Sequence, residues 1–459
     1  MRATRHSPAP TAPVDDPTAR RDVIVRPAPL AMVWQGPGSA HAAIAVPGVS
    51  LGPGDVLVAV ESATICPADA ATVGGQGKPS VPLVLGHEQV GRVAAVGHGA
   101  STADGARLIV GMRVVWSRRI GCGTCEACRA DSPSACRTAR EYGADRLRRG
   151  WELSGGFATH VLVRAGTAIV AVPEIVPVAA LAPAPCGTSL AAAAVEAIVE
   201  ATDVDGEEVV VFGADLVGLT VTAMLTDEGA RVTVVDGDPE RRAWARRFGA
   251  ARVGADVAAL ADGRRVVAVV DADPLVGASA LVAAVARVGA VASVGAAPSG
   301  ALQSRAALSA VIGPDGAHPD PAVSGHAHEG DGDDLDAAVA SIPLAHGGIV
   351  VRVRHAHDSA AVPLADRFVA HGTDRIATAA LDADGDERRL EAPRARTLTV
   401  RRPDPRHLAT AVVFLANAWY RFPLADLVAV RFPLGRLDEA LTAAGGRSAL
   451  RVGIDPVVP

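Results

Sequence analysis

Four closely spaced cysteines constrain the fold of this chain more than any other feature of its sequence. They follow the pattern Cys122-x2-Cys125-x2-Cys128-x7-Cys136 and make up four of the six cysteines among 459 residues. Zinc takes four thiolates at tetrahedral corners about 2.3 Å away, and such short spacings let one loop supply them all. The pattern predicts one structural zinc ion, because a closed four-thiolate shell leaves no position for water. A chance arrangement, a redox cluster and an iron–sulfur cluster are the alternatives.

Bulk properties exclude several classes of partner. The formal net charge is -6 without a long basic run, so we expect no nucleic acid partner. No apolar stretch reaches the roughly 20 residues that cross a bilayer, so we expect no membrane span. Residues 1–29 are rich in Pro, Ala, Thr and Arg and lack an apolar h-region, which predicts a disordered tail instead of a signal peptide. These features favour a cytoplasmic location, where thiols stay reduced and serve as metal ligands or catalysts.

Two domain textures follow the tail. Residues 30–185 contain short β-like runs such as Val56–Val60, Gln89–Val96 and Arg113–Trp116, separated by Gly and Pro. This rhythm is typical of a small, irregular β-rich domain. In residues 186–298, predicted helices alternate with buried strands, which indicates a doubly wound α/β domain. The helices are Ser189–Glu200, a stretch that follows Gly218 and runs to Asp227, and Pro239–Phe248. The strands are Glu208–Phe212, Arg231–Val235, Val266–Asp271 and Ala290–Gly295.

The regular pattern stops near residue 298. Residues 299–395 include a stretch dense in Gly, Asp, His and Pro, and their clearest strand is Gly348–Arg354. Residues 396–459 regain a recognisable rhythm, with a strand at Thr397–Val400, a helix at Pro405–Ala418 and a β-like end at Leu450–Ile454. We therefore expect an insertion followed by a return to the two preceding domains.

The two remaining cysteines suggest a second metal site. Cys66 and Cys186 flank Gly86-His87-Glu88 in the sequence. A catalytic zinc needs three protein ligands and one open position, and two cysteines with one histidine form such a set. The spacing alone is too wide to be diagnostic. A lone buried cysteine is usually a small core residue, and a lone histidine is more often a satisfied polar residue than a ligand.

Together these motifs resemble the zinc-dependent medium-chain alcohol dehydrogenases over residues 30–298 and 396–459. The resemblance implies a GroES-like β-rich catalytic domain (30–185) and a doubly wound Rossmann nucleotide-binding domain (186–298). It also implies an insertion of about 90 residues at 299–395 and a C-terminal part (396–459) that completes both domains. Three segments are most similar to the phosphonate-associated branch of the family: Ala31–Gly38, Ser154–Phe157 and Gly166–Ile169.

The resemblance also implies roles for individual residues. Cys66, His87 and Cys186 would be the ligands of a catalytic zinc, which gives two zinc ions per chain. Asp69 would orient the imidazole, and Glu88 would lie close to the metal. In this family zinc activates an alcohol as an alkoxide, whose carbon transfers hydride to the nicotinamide of NAD(H).

The first departure from the family pattern affects proton transfer. The family usually follows its first zinc cysteine with Gly-Ser-Asp-x-His, whereas this chain has Cys66-Pro67-Ala68-Asp69-Ala70-Ala71. Ala68 and Ala71 replace the hydroxyl and the imidazole that relay the alcohol proton. Any relay here needs water or Thr72. General acid–base assistance contributes a factor of about 10² to 10⁴, so we expect the loss to affect rate before zinc binding.

The second departure lies in the nucleotide loop. The run from Gly213 to Gly218 keeps the first and third glycines of G-x-G-x-x-G but has Asp215 in place of the middle one. A carboxylate there adds bulk and negative charge beside a pyrophosphate. Asp236, at the end of the next strand, would bind the adenosine ribose and favours NAD over NADP, although Arg241 and Arg242 weaken that preference. A Rossmann-like domain with reduced dinucleotide binding is the alternative.

Basic residues suggest how a substrate and a cofactor phosphate are held. Arg118 and Arg119 precede the four-cysteine loop in a segment that lines the substrate cleft of relatives, where a guanidinium suits a phosphonate or another small anion. The alternative is that they face solvent. Arg451 matches a position that contacts cofactor phosphate in relatives. The family also implies a homodimer or homotetramer, and the insertion is expected near the subunit interface or the active-site mouth.

The sequence therefore favours a zinc- and NAD(H)-dependent alcohol dehydrogenase or aldehyde reductase with a small substrate, for which an anionic phosphonate is a candidate. One alternative is a zinc-stabilised paralogue that performs no redox chemistry and serves in binding or assembly. Another is a zinc enzyme of non-redox chemistry. The insertion adds two histidine pairs, His326-x-His328 and His355-x-His357, which we interpret as solvated side chains in place of a third metal site.

Overall fold

The computed structural model describes residues 18–130, 133–256, 266–272, 349–353, 378–381, 387–390, 396–400, 402–446 and 450–457. In chain order its strands are β1 Arg21–Ile24, β2 Leu30–Trp34, β3 Ala42–Ala45, β4 Gly48–Leu51, β5 Val56–Ile65, β6 Leu83–Val84, β7 Glu88–Val96, β8 Arg113–Trp116, β9 Arg119–Ile120, β10 Arg140–Glu141, β11 His160–Val163, β12 Ile169–Ala171, β13 Glu208–Phe212, β14 Arg231–Val235, β15 Arg252–Gly254, β16 Val266–Asp271, β17 Ile349–Val353, β18 Thr378–Leu381, β19 Glu387–Leu390, β20 Arg396–Val400, β21 Val430–Pro433 and β22 Val452–Asp455.

The α-helices are α1 Pro67–Val73, α2 Glu126–Arg129, α3 Val178–Leu181, α4 Ser189–Val199, α5 Leu216–Asp227, α6 Pro239–Arg247, α7 Pro405–Ala418 and α8 Leu437–Ala444. A π-helical turn, Ala184–Thr188, leads directly into α4. Among the residues that the structure describes, no helix is both long and apolar enough to span a bilayer.

The first domain is built around a seven-stranded sheet. Its strands run in the order β12-β8-β7-β5-β22-β21, and β11 also pairs with β5. Strand β5 extends five residues beyond the predicted Val56–Val60, to Ile65. The extension holds polar residues that find partners inside the sheet, since Thr64 donates a hydrogen bond to Glu88 at 2.7 Å. Because β22 lies beside β5, the C-terminal part of the chain completes this domain.

The second domain is a parallel six-stranded sheet in the order β15-β14-β13-β16-β17-β20. Counted from β13, this is the doubly wound order 3-2-1-4-5-6, whose ligand crevice lies at the carboxyl ends of the strands where the order reverses. The strands are continuous apolar runs because helices cover both faces: every residue of β13 and β16 is buried. Helix α5 is apolar all round and is buried from Leu216 to Leu225.

Most predicted elements of the two domains are confirmed. The strands Arg113–Trp116, Glu208–Phe212, Arg231–Val235 and Val266–Asp271 and the helix Pro405–Ala418 have the predicted bounds. The predicted strand Ala290–Gly295 lies outside the described residues. The predicted β-like end Leu450–Ile454 instead begins at Val452, because the Arg451 N–H donates to Leu427 O and leaves the sheet.

Two expectations about the chain's organisation are wrong in part. The predicted disordered tail, residues 1–29, contains β1, which pairs antiparallel with β4. The predicted insertion, residues 299–395, contains β17, which lies between β16 and β20 and is therefore a strand of the nucleotide-domain sheet. The rest of the predicted insertion that the structure describes is the β18–β19 hairpin.

Candidate metal centres and active site

The four-cysteine loop folds into a compact group of thiols. The ligand atoms of Cys122, Cys125, Cys128 and Cys136 all lie within 4.8 Å of one another. The Sγ atoms of Cys122 and Cys128 are 4.0 Å apart. Two sulfurs bound at about 2.3 Å to one tetrahedral ion are about 3.8 Å apart, so this geometry fits zinc.

Local hydrogen bonds prepare this loop for a metal. The Cys125 N–H donates to Cys122 Sγ at 3.3 Å, and the Cys122 N–H donates to Cys136 Sγ at 3.4 Å. The Thr124 hydroxyl and two backbone N–H groups lower the pKa of the Cys122 thiol to about 5. A thiolate stabilised in this way is ready to bind a cation. Gly121 is required, because a Cβ there would lie 2.8 Å from Cys128 Sγ.

The second group is assembled from three distant segments. The ligand atoms of Cys66, His87 and Cys186 lie within 4.8 Å of one another, and all three residues are buried. Cys66 caps the N-terminus of α1, His87 immediately precedes β7, and Cys186 belongs to the π-helical turn before α4. The two Sγ atoms are 4.0 Å apart. Two thiolates and one imidazole form a three-ligand set that leaves one position open on a tetrahedral zinc.

Asp69 links two members of this buried group. Its Oδ2 accepts a hydrogen bond from the Cys66 N–H at 3.1 Å, and its Oδ1 lies 3.3 Å from His87 Nδ1. Since Nδ1 faces the carboxylate, Nε2 is the nitrogen left for a metal. Burial alone would raise the pKa of Asp69, but His87 and Arg118 hold it below its ordinary value. The carboxylate therefore stays charged and fixes the imidazole orientation.

Without a metal the buried group holds protons, which a bound metal ion would have to displace. The Cys186 thiol and burial raise the pKa of Cys66 to about 12. Burial and Arg118 oppose a proton on His87, yet Asp69 and Cys66 raise the imidazole pKa to about 10. The Cys66 thiol therefore becomes a ligand only beside a cation that stabilises its thiolate.

The backbone before His87 is fixed by a tight contact. Gly86 has φ +92°, a left-handed conformation that glycine adopts without strain. A Cβ at Gly86 would meet Phe157 at 2.8 Å. The loop can therefore approach the neighbouring strand closely only with glycine at this position, and this approach sets where the His87 ring lies.

Glu88 belongs to a buried chain of polar groups. It is fully buried, its Oε2 accepts from the Thr64 hydroxyl, and the same oxygen lies 3.3 Å from Arg451 Nε. Arg451 is 3 % exposed, and burial opposes its charge while Glu88 and Cys66 raise its pKa. Glu88 thus balances the charge of Arg451 next to the buried thiols.

A cavity of about 220 Å³ adjoins the buried group at His87. Arg118 lines this cavity, and its Nη1 lies 3.4 Å from His87 Nε2. Its Nη2 is 3.3 Å from Glu141 Oε2. Burial alone would lower the pKa of Arg118, but Glu141 and the neighbouring thiols raise it, so the guanidinium is charged. The structure therefore brings a half-buried cation next to the candidate metal centre.

Arg119 has a different position from the one predicted. It does not line this cavity. Its Nη2 donates to Cys136 O at 3.2 Å, and its Nη1 lies 2.7 Å from Glu141 Oε1. These contacts place Arg119 beside the four-cysteine loop, whereas Arg118 lines the cavity. The structure therefore gives no support to the prediction that Arg119 contacts substrate, which stays a prediction.

Two further cations line the cavity and carried no signal in the sequence. One is Arg402, which follows β20 of the nucleotide domain, and the other is Lys78, the only lysine of the chain. Arg402 acts on Glu141, the carboxylate that Arg118 and Arg119 both contact. Burial alone would raise the pKa of Glu141, but the charges of these three arginines hold it below its ordinary value. The sequence shows that Lys78 is the single lysine of the chain, but only the fold shows that it lines the cavity.

The cavity includes one of the two alanines that replace the expected proton-relay side chains. This residue, Ala68, is 4 % exposed. Thr72 also lines the cavity, and its hydroxyl donates a hydrogen bond to Ala68 O at 2.8 Å. The rim includes the exposed residues Gln76 and Ser80. Water can therefore reach the cavity beside Thr72, whose hydroxyl is the side-chain alternative to water as a proton relay.

The nucleotide loop lies at the reversal of strand order. Gly213, with φ +87°, follows β13, and a Cβ on Gly218 would meet Gly213 O at 2.0 Å. Asp215 caps α5 by accepting a hydrogen bond from the Gly218 N–H at 2.9 Å. Asp236, at the end of β14, is 2 % exposed and accepts from the Ala214 N–H at 2.8 Å. Both carboxylates therefore flank the crevice where such folds bind nucleotides.

Arg241, Arg242 and two histidine pairs are the other residues that the sequence singles out. Arg242 Nη1 donates to the Asp236 and Gly237 carbonyls, so it supports the turn after β14. Arg241 is a residue of α6. Both predicted histidine pairs, 326/328 and 355/357, lie outside the described residues.

Sequence comparison finds a domain family and several relatives. Residues 52–174 match the alcohol dehydrogenase GroES-like domain. L-threonine 3-dehydrogenase of Edwardsiella ictaluri is 32 % identical over 213 residues, which cover 45 % of this chain and 57 % of the relative. The enzyme of the same name from Anaeromyxobacter sp. is 33 % identical over 214 residues, covering 45 % of this chain and 56 % of that one. The chain thus spans little more than half the length of the curated relatives it matches.

Solved structures share the fold over most of the chain. An alcohol dehydrogenase from Thermotoga maritima superposes with a TM-score of 0.66 at 22 % identity, covering 94 % of this chain and 99 % of that one. A short chain alcohol dehydrogenase from E. coli, complexed with NADH, superposes with a TM-score of 0.59 at 18 % identity, covering 93 % and 99 %. At these identities the likeness concerns the fold alone.

Proposed function

We propose that this chain is a zinc-type medium-chain alcohol dehydrogenase that interconverts a small anionic alcohol and its aldehyde, using zinc and NAD(H). The observation that carries the proposal is the buried set of Cys66, His87 and Cys186, which adjoins a cavity at His87. Cys122, Cys125, Cys128 and Cys136 would hold a second, structural zinc.

The buried ligand set suits the chemistry of a Lewis acid. A zinc bound by Cys66, His87 and Cys186 would lower the pKa of a coordinated hydroxyl and polarise a coordinated carbonyl. Asp69 keeps the His87 ring in place through its contact with Nδ1. Burial of all three ligands keeps bulk water away from them and strengthens electrostatic interactions within the set.

The position of one cation in the cavity supports an anionic substrate. The lining contains three cations, Lys78, Arg118 and Arg402, and three carboxylates, Asp69, Glu141 and Asp145. Of the cations, Arg118 has its Nη1 3.4 Å from Nε2 of His87, the nitrogen proposed to bind the metal. Glu141 is shared with Arg119, so it does not neutralise Arg118 alone. A guanidinium binds carboxylate and phosphonate groups through paired hydrogen bonds. The volume of about 220 Å³ fits a compound of a few heavy atoms. A hydroxyalkyl phosphonate is one candidate.

The nucleotide domain supports a dinucleotide cofactor. Asp236 ends β14, where a carboxylate binds the adenosine ribose in folds of this type. Arg451 Nη2 is buried and has no hydrogen-bond partner among the described residues, so a buried donor remains for an anion. These two features suit NAD(H).

The proton of the alcohol would leave without the usual side-chain relay. Ala68 cannot carry a proton, whereas Thr72 offers a hydroxyl oxygen in the same cavity. Because the cavity rim is exposed at Gln76 and Ser80, we propose that water accepts the proton directly or through Thr72. A homodimer or homotetramer in the cytoplasm completes the proposal, and analytical ultracentrifugation would measure the assembly.

A matched set of alcohols tests this proposal. The zinc-loaded protein is assayed with NAD⁺ against 2-hydroxyethylphosphonate, 3-hydroxypropionate and the neutral 1-butanol. We expect kcat/KM to be highest for an anionic alcohol. Arg118→Gln should lower it for that alcohol by about 10- to 100-fold, since a hydrogen bond to a charged group contributes about 1.5–3 kcal/mol.

The control for this experiment is Arg107→Gln, which removes an exposed cation of the same domain away from the cavity. It should leave every kcat/KM unchanged. Turnover of 1-butanol as fast as of the anionic alcohols would remove the argument for an anionic substrate. If zinc-loaded protein oxidises no alcohol and reduces no aldehyde, the redox proposal itself is wrong.

A further inference from the structure

The nucleotide loop contains a carboxylate, Asp215, at the N-terminus of helix α5. Asp215 follows Gly213-Ala214 and occupies the N-cap position of α5, with φ -79° and ψ -175°. Its Oδ1 accepts a hydrogen bond from the Gly218 N–H at 2.9 Å. The free N–H groups at this end of the helix form the anion site to which a dinucleotide pyrophosphate binds in doubly wound folds. An intramolecular carboxylate therefore satisfies one donor of that site.

A second, independent feature also indicates an anion at this place. Arg451 is 3 % exposed, and its Nη2 is buried without a hydrogen-bond partner among the described residues. A Cβ built on Gly187 would lie 2.5 Å from Leu216 Cδ2 and 3.5 Å from this Nη2, so the guanidinium stands beside the first turn of α5. The charges of Glu88 and Asp215 both act on Arg451. The helix end and a buried, incompletely bonded cation thus meet at one anion site.

We infer that Asp215 is a built-in competitor for the dinucleotide pyrophosphate and that it determines the affinity of this chain for NAD(H). This inference rests on the proposed function, because it concerns the cofactor of that same site. Bound pyrophosphate would have to displace the Asp215 carboxylate from the Gly218 N–H. The bound pyrophosphate would also lie close to the negative charge of Asp215, whereas the middle glycine of G-x-G-x-x-G carries no charge.

The competition is confined to the pyrophosphate. Asp236, which would bind the adenosine ribose, ends the neighbouring strand β14 and does not depend on Asp215 for its hydrogen bonds. Ligands with a pyrophosphate, such as NADH and ADP-ribose, should therefore gain affinity when Asp215 is replaced. Adenosine, which has no phosphate, should not.

Equilibrium binding to the zinc-loaded chain tests this inference. NADH, ADP-ribose and adenosine are titrated by calorimetry into the unmodified protein, Asp215→Gly and Asp215→Asn. We expect Asp215→Gly to bind NADH and ADP-ribose at least about tenfold more tightly. Asp215→Asn keeps a good helix cap but loses the charge, so it should lie between the two. Adenosine should bind all three proteins equally.

The matched control is Asp227→Asn, which removes the same charge from the opposite end of α5, where Asp227 pairs with Arg421. Its affinity for NADH should equal that of the unmodified chain. If Asp215→Gly destabilises the domain, Asp215→Asn alone still decides the question, because asparagine caps helices as well as aspartate does.

The outcomes separate this inference from the proposed function. Equal, measurable affinities of all variants for NADH would overturn the role of Asp215 and leave the cofactor proposal intact. Weaker binding to Asp215→Gly would do the same and would show that the carboxylate assists binding. If no variant binds NADH while zinc is present, the inference and the dependence on NAD(H) both fail.

Discussion

The two cysteine-containing groups of this protein are similar in chemistry and opposite in construction. Cys122, Cys125, Cys128 and Cys136 come from one short loop, and Cys122 is exposed. Cys66, His87 and Cys186 come from three segments up to 120 residues apart and are all buried. The first group has four ligands and no vacancy. The second has three ligands, with a cavity and a guanidinium beside it.

This difference shows how each group stabilises its ligands. In the loop, backbone N–H groups and the Thr124 hydroxyl bond to Cys122 Sγ directly, so local geometry favours the thiolate. In the buried group, Asp69 contacts both Cys66 and His87, and the Cys66 thiol is held protonated by the neighbouring Cys186 thiol and by burial. The loop would therefore hold a metal for structure, whereas the buried group needs its metal to carry charge at the cavity.

The largest expected effect comes from removing a buried ligand. Cys66→Ala should lower kcat/KM by at least about 10³-fold, because a Lewis acid contributes several kcal/mol to transition-state stabilisation and each 1.36 kcal/mol is tenfold. Its thermal midpoint should change little, since the loop ligands are untouched. Steady-state kinetics and thermal unfolding measure both. Activity above one tenth of the original would break the distinction between the two groups.

The complementary change removes a loop ligand. Cys128→Ala should lower the thermal midpoint strongly, because the metal of a structural site contributes its binding energy directly to folding. It should also make the protein sensitive to chelator at temperatures where Cys66→Ala is not. The measurement is thermal unfolding with and without EDTA. A midpoint equal to that of the unmodified protein would show that the loop does not need a metal.

A smaller effect is expected from the residue that connects two buried ligands. Asp69→Asn keeps the shape of the side chain but removes the charge facing His87 Nδ1. Loss of such a supporting carboxylate typically weakens metal affinity by about 10- to 100-fold. Competition with a zinc-binding dye, which reads the buried site once the loop is saturated, measures the change. The loop site serves as the internal control, and its affinity should stay constant.

The smallest effect concerns pH and the loop. The Thr124 hydroxyl is the largest cause of the low pKa of Cys122, which is about 5. Thr124→Val should raise that pKa toward its ordinary value, so protons compete with the metal at higher pH. The pH midpoint of zinc release from the loop should then shift upward by less than about one unit, because two backbone N–H groups remain. Stopped-flow zinc release at falling pH measures it, and a downward shift would contradict the account.

The same contrast explains what the sequence could predict. The four-cysteine loop is visible because all its ligands lie within one short motif. The parallel strands are predictable because β13 and β16 are almost entirely apolar runs. Their alternation with helices predicts a doubly wound domain, and the family resemblance implies the same fold. The role of Asp69 in orienting the His87 ring is implied by that resemblance, because the aspartate of the motif after Cys66 is kept in this chain.

Other features depend on contacts between distant segments and had no local signal. Arg402 reaches the cavity from the segment after β20, and Lys78 from the loop after α1. Strand β17 was assigned to an insertion because its neighbours in the sheet, β16 and β20, are far away in sequence. Strand β1 has only four residues, and Val23 is its one side chain that packs against the core, so the sequence gives little sign of its pairing with β4.

Zinc stoichiometry tests the central claim, that the buried group is a metal centre separate from the loop, most directly. Inductively coupled plasma mass spectrometry would be applied to the unmodified chain and to Cys186→Ala, which removes a ligand from the π-helical turn. The account predicts two zinc ions per chain in the first protein and one in the second. A single zinc in the unmodified chain, or two in Cys186→Ala, would contradict it.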